Sequence, residues 1–123
     1  MELYLMEDKI QADIVKYLRS KRIFSHSVPN EGAGRGNAIR TSRLVTMGLF
    51  SGVGDLVVWW HTPQGTRVGY LEVKTPKGRQ SERQEHFQEM CEEAGIPYRV
   101  VRSVPEVKAY MDEMGFIDGP RRT

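Results

Sequence analysis

The sequence is short of cysteine, of long apolar runs and of net charge, and each shortage narrows what the chain can be. Its one cysteine, Cys91, has nothing to pair with inside the chain. An internal disulfide and a cysteine-based zinc site are therefore excluded, and a reducing, cytoplasmic setting is expected. No stretch approaches the roughly 20 apolar residues of a membrane span, so no membrane partner is expected. Residues 1–6 carry Glu2 and no basic flank, unlike a signal peptide. The three histidines, His26, His61 and His86, lack the spacing of metal ligands and read as surface or loop residues.

Charge nearly cancels. Lys and Arg total 18 against 16 Asp and Glu, a net of +2, too small to demand a polyanionic partner. The distribution is more telling. Arg35, Arg40 and Arg43 sit in one glycine-rich stretch, and Lys74, Lys77, Arg79 and Arg83 crowd another. A locally basic chain can dock on phosphates, although an ordinary solvated surface has the same composition.

What is present fits one domain over 1–123. The length of 123 residues, with 39% hydrophobic and 28% charged, suffices for one core. A helix is expected over about 7–21. At ~100° per residue, Ile10, Ile14 and Leu18 fall on one face. Glu7 shares that face, where an unpaired carboxylate is costly. It either frays into water or has a partner such as a cation. An extended piece over 23–28 follows. Residues 30–43 read as a flexible loop, and 44–50 as a short strand or helical turn.

Residues 55–60 (DLVVWW) and 67–75 (RVGYLEVKT) read as strands around the turn tetrapeptide Thr62-Pro63-Gln64-Gly65, forming a hairpin. Trp59 and Trp60 alternate across the strand, so at least one belongs to the core. Ser81 and Gln84 form a capping box ahead of a helix that buries Phe87, Met90, Cys91 and Ala94 and ends at Gly95. Residues 98–101 (YRVV) make another strand. Ser103 and Glu106 cap a last helix with Val107, Tyr110, Met111 and Met114 inward, ended by Gly115. The tail from residue 120 is expected to be disordered. The order predicts an α/β fold, a mixed sheet with helices packed on it.

The chemistry concentrates in 52–74. Residues two apart on a strand share a face, so Tyr70, Glu72 and Lys74 point one way while Leu71 and Val73 point the other. The turn lies midway between Asp55 and Glu72, so the hairpin can set these carboxylates side by side. Neighbouring carboxylates repel and raise each other's pKa, and a divalent cation relieves that cost. Mg²⁺ takes one or two protein carboxylates and fills its octahedron with water and phosphate. Asp55 and Glu72 are the candidate metal ligands, with the Val73 carbonyl as a third. Lys74 can orient the attacking water or balance developing charge. Gly32, Gly34 and Gly36 resemble a phosphate-cradling loop. No Lys-Ser/Thr follows and no strand leads in, so no nucleotide cofactor is expected.

GVGDLVVWW, then GYLEVKTPKGRQSERQ, then a helix and YRVV resembles the VRR-NUC branch of the PD-(D/E)XK nuclease superfamily. The resemblance runs from Glu7 to about Ser103. It implies a restriction-endonuclease-like core with a four-stranded mixed sheet in α-β-β-β-α-β order. It also implies catalytic roles for Glu7, Asp55, Glu72, Lys74 and Gln84, with Glu7 acting on the metal through a water. Gln84 has a rival role as the capping-box glutamine. Gly54 stands where the family commonly has proline, a change that affects loop stiffness more than chemistry. By the same resemblance the chain is expected to be an endonuclease cutting DNA with Mg²⁺ or Mn²⁺, selective for branched structures such as four-way junctions, and a homodimer. Arg35, Arg40, Arg43, Lys77, Arg79 and Arg83 are the candidate DNA contacts. The alternatives are a non-catalytic DNA-binding module and a subunit of a phage or repair complex.

Overall fold

The computed structural model of the chain describes residues 3–28, 47–48, 50 and 52–118. The expected loop at 30–43, most of 44–50, and the tail lie outside the described residues, as do Arg35, Arg40 and Arg43.

Helix α1 spans Leu3–Ser20. It starts four residues earlier than the periodicity alone indicates, so Glu7 lies in its second turn, not at a fraying end. Ile14 and Leu18 are fully buried and Ile10 packs against them. The helix closes with Arg22 in the left-handed region (φ 58°) and turns the chain into strand β1, Phe24–Ser27.

Strands β2 (Leu56–Thr62) and β3 (Gly65–Val73) form the expected hairpin. Their register runs from Leu56 opposite Leu71 to Thr62 opposite Gly65. The turn is tied by Thr62, whose hydroxyl donates to the Gly65 carbonyl at 2.7 Å and accepts from the Gln64 N–H at 3.1 Å. Gly65 itself has φ 120°, a conformation that only glycine adopts without strain.

Helix α2 (Glu82–Ala94) crosses from β3 to β4 (Tyr98–Val101), and helix α3 covers Val104–Glu113. The sheet order is β1-β2-β3-β4. The first two pairings are antiparallel and β3–β4 is parallel, giving the expected mixed four-stranded α/β sheet. The crossover helix is what a parallel pair requires.

The two sheet faces differ. On one, Leu56, Val58, Trp60, Leu71, Val73 and Val101 pack with Ile14 and Leu18 of α1 and Val107, Tyr110 and Met111 of α3. Each such side chain contributes about 1.5–3 kcal/mol by leaving water. On the other, α2 covers a smaller cluster of Phe87, Cys91 and Tyr98, flanked by Val53, Tyr70 and Val100. This corrects the expected stripe of α2. Met90 is 42% exposed and Ala94 is exposed, because the helix overlies only β3 and β4 and its contact ends at Cys91. Trp60 is the core tryptophan, and Trp59 is exposed.

The caps explain where the helices begin and end. At α2 the Ser81 hydroxyl accepts from Gln84 N–H, Gln84 returns the bond to the Ser81 N–H, and Gly95 closes the helix in the left-handed region. At α3 Ser103 accepts from Glu106 N–H. The Glu106 carboxylate reaches one residue further back than a capping box needs, to the Arg102 N–H at 3.0 Å.

Candidate active site

The site sits where the β2–β3 hairpin opens, at the end away from its turn. Extending the register by one residue from Leu56–Leu71 sets Asp55 opposite Glu72. Asp55 is held by both neighbouring strands. Its Oδ2 accepts from the Val73 N–H at 2.7 Å, and its carbonyl accepts from the Val28 N–H at 3.1 Å. A strand residue points its N–H and C=O to the same side, so the Val73 carbonyl also faces the Asp55 side.

Glu72 is 1% exposed. Its Oε2 accepts from Gln84 Nε2 at 2.9 Å and lies 3.6 Å from Lys74 Nζ. Its Oε1 is buried with no donor among the described residues. Burial pushes the Glu72 carboxyl up to about 9. The Asp55 charge pushes the same way, Lys74 opposes, and Glu7 adds a smaller push upward.

Glu7 belongs to the same electrostatic neighbourhood. Burial raises its carboxyl above the usual range; Lys74 lowers it, and Asp55 and Asp8 raise it. Lys74 is buried, with its backbone N–H on the Val101 carbonyl at 3.0 Å. The fold therefore brings together Glu7, Asp55, Glu72, Lys74 and Gln84 from two helices and the hairpin. Gln84 serves as the capping-box glutamine and its side chain also reaches Glu72. Its Oε1 accepts from the Ser81 N–H at 2.8 Å while its Nε2 holds Glu72. Of the basic residues, Lys77, Arg79 and Arg83 are exposed on the loop and first turn after the site.

Three supporting features were not legible in the sequence. The Arg102 guanidinium donates to the Thr75 and Gly78 carbonyls, each at 2.6 Å, and so clamps the loop between Lys74 and α2. Gln80 donates to Tyr98 Oη at 3.2 Å and Gln88 Oε1 at 2.9 Å, and burial together with the Glu72 charge raises the Tyr98 hydroxyl pKa. Gly52 (φ 87°) presses on the start of α2, where a Cβ would lie 2.5 Å from the Arg83 carbonyl carbon. At Gly54 a Cβ would lie 3.0 Å from Tyr70 Cβ. The residue before Asp55 is thus constrained by packing.

Among the described residues no group of three or more His, Cys, Asp and Glu side chains could hold a metal ion by itself. The donor set is a pair of carboxylates, Asp55 and Glu72, beside a backbone carbonyl. That pair, with one buried oxygen lacking a donor, suits a hard cation that draws its remaining ligands from water and phosphate.

A family model described as the VRR-NUC domain matches residues 5–105. The chain belongs to the VRR-NUC family. The matched span contains Glu7, Asp55, Glu72, Lys74 and Gln84. A solved structure described as a VRR_NUC domain protein is similar in fold, with a TM-score of 0.66 at 18% identity over 96% of this chain and 97% of the other. No curated protein matches the chain. The VRR-NUC domain is a nuclease domain, so this member is assigned nuclease function and DNA as its partner.

Proposed function

We propose that the chain is a divalent-metal-dependent endonuclease that hydrolyses DNA phosphodiester bonds at the Asp55–Glu72 pair. The observation that carries this reading is the buried Glu72 carboxyl beside Asp55, with one oxygen lacking a donor and its pKa pushed up to about 9. A buried carboxyl beside a second acid is costly to charge, and a cation bound to phosphate would remove that cost.

Asp55, Glu72 and the Val73 carbonyl would hold Mg²⁺ or Mn²⁺, with Glu7 acting through a water. The ion would lower the pKa of water and offset charge on the phosphate in the transition state. The protein's own groups do the positioning. The Val73 N–H fixes one Asp55 oxygen, and Gln84 fixes one Glu72 oxygen. Lys74, held near Glu72, meets the negative charge that grows on the phosphate or orients the attacking water. Lys77, Arg79 and Arg83, with Arg35, Arg40 and Arg43, would dock the flanking phosphates.

The finer expectations belong to the same proposal. Selectivity for branched DNA is what the family resemblance suggests, and a homodimer fits the size, since one small domain reads little of a junction while a two-fold dimer presents two sites to two strands. Incubation of supercoiled plasmid, flap, splayed arm and four-way junction with Mg²⁺, Mn²⁺ or EDTA tests the reading. Cleavage in metal and none in EDTA is expected. Binding without cleavage in every metal overturns it in favour of a DNA-binding module. A monomer in sedimentation that still cuts junctions symmetrically overturns the dimer.

A further inference from the structure

The face of the sheet that carries Glu72 is only half covered. Helix α2 lies over β3 and β4, where Phe87 meets Tyr70 edge-on at 4.9 Å and Tyr98 at 5.9 Å. Over β1 and β2 no described helix covers the same face. Register places Phe24 of β1 opposite Trp59 of β2, and Trp59 opposite Val68 of β3. All three are large and about half exposed, at 52%, 47% and 47%. The Phe24 and Trp59 rings contact at 4.8 Å, and the His26 ring lies 5.9 Å from Phe24. Aromatic rings held at the surface by a rigid sheet are unusual, since burial would release them from water at a gain.

We propose that this row is a stacking platform for unpaired bases of the nucleic acid strand that enters the active site. The argument has three parts. Val68 and Glu72 share a face four residues apart, about 13 Å at the strand rise, so the platform lies within about four nucleotides of the scissile phosphate at a stacked rise of ~3.4 Å. The strands that build it, FSHS, LVVWWHT and GTRVGYLEV, hold no acidic residue before Glu72, and the exposed Lys21 and Arg22 lead into β1. No side chain of these strands short of Glu72 repels a phosphate backbone. Finally, rings with free faces beside a phosphodiester site are the chemistry by which sheets hold single strands without reading sequence. The location rests on the nuclease reading above. The chemical class that follows is DNA with unpaired nucleotides beside the cut, such as splayed arms or opened junctions, in preference to closed duplex.

The two tryptophans make the test direct. Trp60 is 1% exposed, so a change in emission on adding a strand reports Trp59. The full chain in EDTA is titrated with a single-stranded oligodeoxynucleotide and with a blunt duplex of the same length. Quenching by the single strand, much weaker with duplex, is expected. Trp59→Ala should weaken single-strand binding about five- to 150-fold, the range spanned by losing one stacked base. Trp59→Phe should keep most of the affinity while the emission change disappears, which separates stacking from misfolding. Equal quenching by duplex, or none by either, overturns the proposal. So does a dimer, seen by sedimentation, that already shields Trp59 from acrylamide before any DNA is added. Metal-dependent cleavage without quenching defeats the platform alone, and quenching without cleavage in any metal defeats the enzyme reading alone.

Discussion

Leu71 and Glu72 are neighbours on β3, both buried, and they do opposite things. Leu71 and Val73 enter a continuous apolar core between the sheet and α1 and α3, while Glu72 and Lys74 enter a pocket of charge beside α2. Strand alternation sorts packing from chemistry within five residues. The lesson is that one face supplies the stability that lets the other hold an acid pair at a cost.

The most severe way to test that division is Glu72→Gln, which keeps the shape and removes the charge. Plasmid nicking should fall about a thousandfold or more, and full activity in this variant would falsify the site assignment. Leu71→Ala should do the reverse, lowering stability by about 2–5 kcal/mol in a denaturant melt while cleavage per folded molecule stays near the parent level. A variant that melts with the parent would mean that the apolar face is not where stability resides.

Gln84 joins the two regimes, so Gln84→Ala should lose about 10- to 100-fold in cleavage, the usual cost of removing a group that orients a ligand. Ser81→Ala removes the cap alone and belongs at the end of the scale, about 0.5–2 kcal/mol of stability with cleavage largely kept. If the two variants lose cleavage equally, Gln84 matters only as a cap.

Between these lies a pH effect. In the folded, metal-free chain Glu72 keeps its proton up to about pH 9, against an ordinary value of 4.5. Between those values the folded state binds more protons than the unfolded one, so stability falls as pH rises, by at most ~1.4 kcal/mol per unit from this group. The raised Glu7 carboxyl acts in the same direction. Melts from pH 5 to 9 in EDTA should show the decline, and Glu72→Gln should flatten it. A decline of the same slope in that variant would locate the titration elsewhere.

Much of this was legible in the sequence because it is local. The spacing of Ile10, Ile14 and Leu18, the turn midway between Asp55 and Glu72, and the caps at Ser81 and Gly95 each depend on residues close in the chain. The Asp55–Glu72 pairing was readable for the same reason, since a two-residue turn leaves one register. What was hidden depends on distant segments. Arg102 meets the loop at Thr75–Gly78 only after β4 has paired with β3, and no pattern around it announces that clamp. Gly52 was visible as a glycine but not as the point where α2 touches down. The extent of α2's stripe was overestimated because periodicity shows which residues could face a sheet, not how much sheet lies beneath them.

The order in which the site's parts occur along the chain has a consequence for synthesis. Glu7 leaves the ribosome early, Asp55 midway, and Glu72, Lys74 and Gln84 later. The strand holding Glu72 is flanked on its outer side only once 98–101 has arrived. Domains fold as units as they emerge, so a nascent chain carries acidic and basic fragments but not the complete candidate site. A cell making this protein meets its nuclease activity only when nearly the whole of the described fold is available to assemble.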